Sequence, residues 1–454
     1  MKYMMKRLSI LCLLCLAAGW TQAQEILDLT QCRALALQYN KELAASLRQS
    51  EAAHHTMLSY RGNFFPNISL GGMALYSTAD GNIGKGEIPI SLQSGTGQVV
   101  QLPFSIPFPG IDYKLGWMYS GRVQFEQPIY MGGKIRAAYR MAQLGEAMAR
   151  QNEKLTTTQV LLETDKAYAL MVKAQEMKKV ADKYHTLLTE LMKNVESAYK
   201  HGLKSQNDIL KVQVKLNESE LNIRKAENGL RLASMNLCHL IGKPLDTQLF
   251  ITGDYPNVTM PNLQTDDITA RPEYTILDQQ IAIAQQQVRL SRSEMLPQVG
   301  VMGMYGYLHG LEAMNQTLFD KASFSVLLNV SIPLYHFGER RHKVRAAQVK
   351  LKQAQLQQAD LHEKMLLELT LAANNLDEAR LECDLADRSL EQAEENRRVS
   401  GRQYEVGLET LSDHLEAQTL WQQAYQTQVE AHFQLYIQYV AYLKASGSLS
   451  TTNK

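Results

Sequence analysis

Tyr404-Glu405-Val406-Gly407-Leu408-Glu409-Thr410-Leu411-Ser412-Asp413-His414-Leu415-Glu416 interrupts, at a single glycine, about a hundred residues that otherwise follow a helical pattern. Its echo is Tyr199-Lys200-His201-Gly202-Leu203-Lys204-Ser205-Gln206-Asn207-Asp208-Ile209-Leu210-Lys211. The copies share tyrosine, glycine, leucine, aspartate and leucine at identical spacing. The step from Gly202 to Gly407 also carries Pro128 onto Pro333 and Gly242 onto Gly447. The chain therefore reads as a tandem duplication, with a first repeat over 24–242, a connection over 243–266, a second repeat over 267–447 and a tail over 448–454. Each repeat is predicted to contain a helical hairpin with this motif at its tip.

The helical arms are predicted from what they lack. All twelve prolines fall outside 133–200 and 338–405, so nothing removes an amide or forces a kink within either run. The second arm carries a seam of Leu369, Ala372, Leu376, Ala379, Cys383, Ala386, Leu390 and Ala393, the alternation of a coiled coil. The first shows Ala174, Met177, Ala181, Tyr184, Leu188, Leu191, Val195 and Ala198. The step through Leu361, Met365 and Leu369 is a stutter that locally unwinds the supercoil. At about 1.5 Å per residue the arm over 133–200 spans roughly 100 Å, whereas 205–241 covers about 55 Å and 267–296 about 45 Å. The chain thus descends in one stroke and returns in two, with the proline-bearing connection as a belt between them. A further helical pattern is predicted from 29 to about 63.

Between the helical stretches the period falls to two. Strands are predicted at about 67–76, 116–128, 298–307 and 323–333. In Trp117-Met118-Tyr119-Ser120-Gly121-Arg122-Val123-Gln124-Phe125-Glu126, Trp117, Tyr119, Val123 and Phe125 share one face, with Arg122, Gln124 and Glu126 on the other. Each strand is long enough to cross a bilayer at a tilt, and aromatic residues gather near the ends. An ordinary half-buried sheet shows the same alternation. The segments 77–115, with four prolines, and 309–321 are predicted as irregular loops on the outer face of a barrel.

The first 23 residues have a basic start, an apolar run and small residues before a cleavage site, the form of a signal peptide. No later stretch has the roughly 20 consecutive apolar residues of a membrane helix. Removing Lys2, Lys6 and Arg7 with the leader leaves 44 basic against 46 acidic residues, a balance that gives no footprint for nucleic acid. Cys32, Cys238 and Cys383 lie far apart on predicted helices and imply no disulfide framework. No catalytic constellation, metal site or cofactor motif is read, and the nineteen methionines read as packing residues.

Four strands cannot close a barrel, and an open sheet edge in lipid leaves amides unpaired at several kcal/mol each. Membrane strands would therefore force oligomerisation, with Arg122, Gln124, Glu126 and Asn329 lining a wet lumen. At this point the chain resembles the TolC family of outer-membrane efflux channels over its mature length. The resemblance rests on the two-fold repeat, on Asn40-Lys41-Glu42-Leu43 echoed by Arg271-Pro272-Glu273-Tyr274, on Pro128-Ile129-Tyr130-Met131-Gly132-Gly133-Lys134 with Pro333-Leu334-Tyr335-His336-Phe337-Gly338-Glu339, and on the Gly-Leu tips. Lys41 stands where that family usually has proline.

The resemblance implies a mainly α protein with membrane β structure: long coiled-coil hairpins plus four transmembrane strands per chain. As a homotrimer it would form a twelve-stranded barrel in outer-membrane lipid, continuing into an α-helical periplasmic tunnel. It implies an exit duct for efflux or type I secretion, joined through a periplasmic adaptor (membrane fusion protein) to an inner-membrane transporter of RND, ABC or MFS type. By the same resemblance Gly202, Leu203, Gly407 and Leu408 dock the adaptor, Asp413 and Glu416 ring the periplasmic gate, and Tyr404 links to Asp208 across the tips. Glu409 stands where the family prototype has an arginine, leaving Lys204, Lys211 and Arg402 as substitutes. Two alternatives remain: Asp413 and Asp208 acting only as caps of the returning helices, and the whole chain acting as a non-conducting periplasmic coiled-coil adaptor or scaffold.

Overall fold

A computed structural model describes residues 26–93, 99–253, 255, 258, 268–313 and 316–449. The predicted leader, residues 254, 256–257 and 259–266 of the predicted connection, and residues 450–454 of the tail lie outside the described residues. The chain divides into two compact units. A helical unit comprises Met1–Glu51, Ala147–Gln279 and Gln355–Lys454, and a strand-bearing unit comprises Ala52–Glu146 and Gln280–Ala354.

The helical pattern predicted from 29 to 63 is broken into α1 (Leu29–Tyr39) and α2 (Lys41–Gly62). The break is Asn40, whose ψ of 127° is extended and whose Oδ1 accepts hydrogen bonds from the amides of Glu42 (2.9 Å) and Leu43 (3.2 Å). An asparagine that offers the backbone a cap competes with helix continuation, and here the cap wins. The side-chain amide of Asn40 donates to Leu240 O (3.2 Å). In the second repeat Arg271 stands before α5 (Pro272–Ser293) and donates to Ala445 O (3.2 Å).

Leu240 and Ala445 are the last residues of α4 (Gln206–Leu240) and α7 (Leu411–Ala445). The Asn40 and Arg271 motifs thus share one job: each satisfies an orphan carbonyl where a returning helix ends. Gly242, with φ of 74°, follows α4 so closely that an added Cβ would lie 2.5 Å from Tyr39 Cβ.

The two proline-free arms are α3 (Lys134–Lys200) and α6 (Glu339–Glu405). Ala372, Leu376, Ala379, Cys383 and Ala386 of the α6 seam are buried, as are Tyr184, Leu188, Leu191 and Val195 of α3. The larger buried side chains contribute about 1.5–3 kcal/mol each. At the start of the chain Leu27, Cys32 and Ala36 pack with Tyr168, Met171, Leu237 and Ile251, and β1 (Ile26–Leu27) pairs in parallel with β8 (Phe250–Ile251). The pairing places a short strand in a segment expected to be irregular.

Arg33 from α1 meets Asp165 from α3 through Nε–Oδ1 (2.7 Å) and Nη2–Oδ2 (2.5 Å), with the aspartate side chain fully buried. Burial pushes the carboxyl up, and the guanidinium opposes that push. Cys32, Cys238 and Cys383 are free and buried.

In the strand-bearing unit four long antiparallel strands run in the order β2 (Asn67–Tyr76), β7 (Trp117–Met131), β9 (Gln298–Ala313), β10 (Gln316–Ser331). The segment expected as an irregular loop over 77–115 holds β3 (Asp80–Ile83), β4 (Gly86–Gln93), β5 (Val99–Phe108) and β6 (Ile111–Lys114). Proline misled the reading: Pro89 sits at a register shift and Pro107 pairs with Glu87 in the two-stranded β4–β5 ribbon, where both strands are edges that tolerate a missing donor. The expected loop 309–321 is largely strand, because β9 and β10 stay in register from Gln316↔Ala313 to Ser331↔Gln298.

Candidate functional site

The residues singled out in the sequence fall at two places: the faces of the four-stranded sheet, and the tips at Gly202 and Gly407. On the sheet, register assigns each side chain to a face. Ile68↔Phe125, Leu70↔Val123 and Tyr76↔Trp117 continue through Val123↔Tyr305 and Tyr305↔Phe324 to form one apolar face. Ile68, Leu70, Trp117, Val123, Phe125, Tyr305, Phe324, Val326 and Val330 are all exposed, an apolar face far larger than water-soluble surfaces usually carry.

The opposite face runs Ser69↔Gln124↔Met304↔Ser325 and Asn67↔Glu126↔Met302. Arg122 lies there opposite Gly71 and Gly306, and Asn329 opposite Gly300. A Cβ at Gly71 would meet Arg122 Nε at 3.5 Å, and one at Gly306 would meet Arg122 Cβ at 3.2 Å, so the glycines make room for the Arg122 side chain, at its far end on one side and at its base on the other. Register thus brings the four sequence-predicted lumen residues, Arg122, Gln124, Glu126 and Asn329, onto one face, and the Gln124 amide donates to Glu126.

At the tips, Gly202 (φ 71°) and Gly407 (φ 78°) adopt the left-handed conformation that ends a helix. The amides of Leu203 and Leu408 reach back to Ala198 O (2.9 Å) and Gln403 O (2.8 Å), and those of Gly202 and Gly407 to Tyr199 O (2.9 Å) and Tyr404 O (3.2 Å). This leaves Leu203 at 76% and Leu408 at 80% exposure, two apolar side chains held out on rigid turns.

The returning helices start with reciprocal caps. Asp208 Oδ2 accepts from the Ser205 amide (3.0 Å) and hydroxyl (2.8 Å), while its own amide donates to Ser205 Oγ. Asp413 Oδ2 accepts likewise from the Thr410 amide (3.3 Å) and hydroxyl (2.6 Å). The Ser205 donors hold the Asp208 carboxyl below the usual carboxylate range. Both aspartates therefore cap, and the charge difference between the tips narrows to Lys211 against Glu416.

Within the chain Tyr404 makes no hydrogen bond to Asp208, whose partners are on Ser205. Its ring stacks on His414 (centroids 5.0 Å apart, interplanar angle 2°), and Lys204 Nζ lies 4.5 Å from its centroid. The capping box keeps Asp208 on its own turn. Lys211 Nζ donates to Ser412 Oγ (3.0 Å), so two of the three predicted substitutes, Lys204 and Lys211, reach the second hairpin at its tip, and farther along Lys173 and Lys183 reach Glu430 and Tyr425. Each tip contact contributes about 0.5–1 kcal/mol at an exposed site. Among the described residues, Glu416 is exposed and has neither a hydrogen bond nor an ion pair.

Inward from the tip, His414 is buried between Ser400 Oγ (3.2 Å from Nδ1) and the Gln418 amide (2.9 Å from Nε2). Glu409 Oε2 and Gln418 Oε1 are buried without a partner among the described residues. The sequence reading passed over this cluster because its members lie on two helices. Burial holds the imidazole below its usual range; Glu409 and Glu405 pull it up and Arg397 pushes it down.

The unfolded chain therefore binds this proton more readily than the folded one. Stability at the tip is constant above about pH 6.5 and falls as pH drops from there toward the folded value. Protection factors in the first turns of α7, that is exchange rates corrected for the intrinsic pH dependence of amide exchange, should be lower at pH 5.5 than at 7.5, and His414→Gln should remove the difference. An unchanged pH response in that variant would contradict the assignment.

A family profile described as outer membrane efflux protein matches residues 33–243 and 272–448. Protein CyaE of Bordetella pertussis is 26% identical over 257 residues, which cover 55% of this chain and 53% of that protein, so the chain spans about half the length of that curated relative. The outer membrane protein VceC of Vibrio cholerae superposes with a TM-score of 0.74 at 16% identity, covering 94% of this chain and 98% of that one. The CmeC outer membrane channel of Campylobacter jejuni gives 0.76 at 17%, covering 95% and 88%. The MtrE outer membrane channel of Neisseria gonorrhoeae, in its open state, gives 0.72 at 15%, covering 93% and 89%.

Proposed function

The chain belongs to the outer membrane efflux protein family, and on that premise we propose that it is the passive exit duct of a tripartite efflux or type I secretion system. Its place is the outer membrane, and the family is one of channels rather than enzymes. The observation that carries the proposal is the sheet: four antiparallel strands whose outer edges, β2 and β10, have no partner among the described residues, with an apolar face turned to the surroundings.

An even strand number lets β10 of one copy meet β2 of the next in antiparallel sense, so copies close a ring without an edge. Three copies give twelve strands, with the Arg122 face inward and the Ile68–Phe125 face in lipid. Unheated protein in mild detergent should run as a trimer that heating collapses to a monomer. A monomer at all temperatures would contradict the ring.

The helices form the periplasmic tunnel. Leu203 and Leu408 present the apolar studs on which a periplasmic adaptor docks, and the adaptor connects the duct to an inner-membrane transporter of RND, ABC or MFS type. The weak links at Lys204 and Lys211 let the tips part while the buried cluster of Leu188, Leu191, Val195, Leu411, Leu415 and Trp421 keeps the helices packed.

Asp413 and Glu416 both carry gate charge: Thr410 donors hold the Asp413 carboxylate in place on its turn, and Glu416 is the charge that the first tip lacks. In a trimer three Glu416 carboxylates favour cations. Glu416→Gln should lower the cation selectivity seen in reversal potentials, whereas Asp413→Asn should also weaken the cap, by about 1 kcal/mol. Unchanged reversal potentials in Glu416→Gln would reject the gate role.

A further inference from the structure

We propose that Cys383, Asp387 and His432 form a binding site for a zinc-type divalent cation between α6 and α7. Their ligand atoms lie within 4.8 Å of one another. Cys383 and Asp387 are four residues apart on α6 and therefore share a face, and His432 reaches them from α7, with its Nε2 2.9 Å from Asp387 Oδ1. The sequence showed scattered histidines and a seam cysteine, and only the packing of two helices joins them.

The arrangement has the features a metal site needs. Cys383 is 4% exposed and forms the floor, while the side chains of Asp387 (46%) and His432 (38%) form an open rim through which an ion enters. Gln428, one turn before His432, donates to Asp387 Oδ1 (2.9 Å), an outer partner of the kind that orients a ligating carboxylate.

Packing alone does not call for sulfur here, because the seam positions on either side are Ala379 and Ala386. One thiolate, one imidazole and one carboxylate suit Zn²⁺, with water in the fourth tetrahedral position. The carboxylate disfavours Cu(I), which selects thiolate and thioether ligands. Burial and the neighbouring Asp387 and Asp384 carboxylates push the Cys383 thiol up to about 11, so the free site holds a neutral thiol and releases its proton to solvent on binding. Binding also replaces the Asp387–His432 hydrogen bond: that pair opens slightly and the sulfur draws in, leaving the three ligand atoms about 3–4 Å apart at ordinary zinc bond lengths.

The test uses full-length protein in detergent, without a polyhistidine tag, reduced and then freed of metal by a chelator. Titration with Co²⁺ should give a near-ultraviolet thiolate-to-cobalt band that saturates at one ion per chain and is abolished by added Zn²⁺. Cys383→Ser should remove the band, and His432→Gln should weaken binding at least tenfold, with the trimer and the far-ultraviolet dichroism unchanged in both. Zn²⁺ should also slow alkylation of Cys383. The proposal is overturned by the absence of a band at one equivalent, by a band that survives Cys383→Ser, or by undiminished affinity in His432→Gln.

Discussion

Replacing Arg33 by methionine is expected to destabilise the helical unit by about 3–5 kcal/mol, because it leaves the Asp165 carboxylate buried without its counter-ion. The Asp165 side chain has no solvent exposure, and the guanidinium meets it through two parallel hydrogen bonds. Asp165 lies within one turn of Tyr168, a member of the buried apolar cluster. A variant carrying both Arg33→Met and Asp165→Leu should recover most of the loss, because replacing both partners by apolar groups removes the unpaired charge. Chemical denaturation of the single and double variants gives the coupling directly. A single variant within about 1 kcal/mol of the parent would show that the pair is not holding α1 to α3 in the way described.

The second large effect separates two neighbouring residues of β10. Val326 lies on the apolar face opposite Gly303, and Ser325 lies on the polar face opposite Met304. Val326→Arg places a charge in lipid and should oppose membrane assembly by about 2–4 kcal/mol, the range for an arginine near the bilayer midplane. Ser325→Arg points into the proposed lumen, so it should assemble normally and shift ion selectivity toward anions. The pair is scored by the yield of heat-sensitive trimer in membranes. Equal yields for the two variants would mean that the sheet does not have one face in lipid and one in water.

Much of this fold is written in patterns that need no long-range knowledge. The absence of proline outlines α3 and α6 to within a residue of their observed starts at Lys134 and Glu339. Period-two alternation marks β2 and β7, and the Gly-Leu turns mark the helix ends at Lys200 and Glu405. What escaped the reading depends on partners distant in sequence or on competition between local rules. Nothing local to Arg33 points to Asp165, 132 residues away, and nothing around Cys383 points to His432. Asn40 fits a helical pattern until its cap is seen, and Pro89 and Pro107 signal loop unless the strand is known to be an edge.

At the tips the sequence left Asp208 and Asp413 with two readings. Serine or threonine three residues earlier completes the capping box, and local geometry commits both carboxylates to it. Glu416, by contrast, is exposed and unpaired among the described residues, which is why the proposed gate role is tested at that residue.

The central claim is that the protein conducts, and electrical recording of the purified trimer in a planar lipid bilayer tests it most directly. Discrete steps of ion current are expected, with a reversal potential on the cation-selective side across a salt gradient. A protein that stays monodisperse without detergent and never adds conductance to the bilayer would contradict it, and would favour a non-conducting periplasmic scaffold instead.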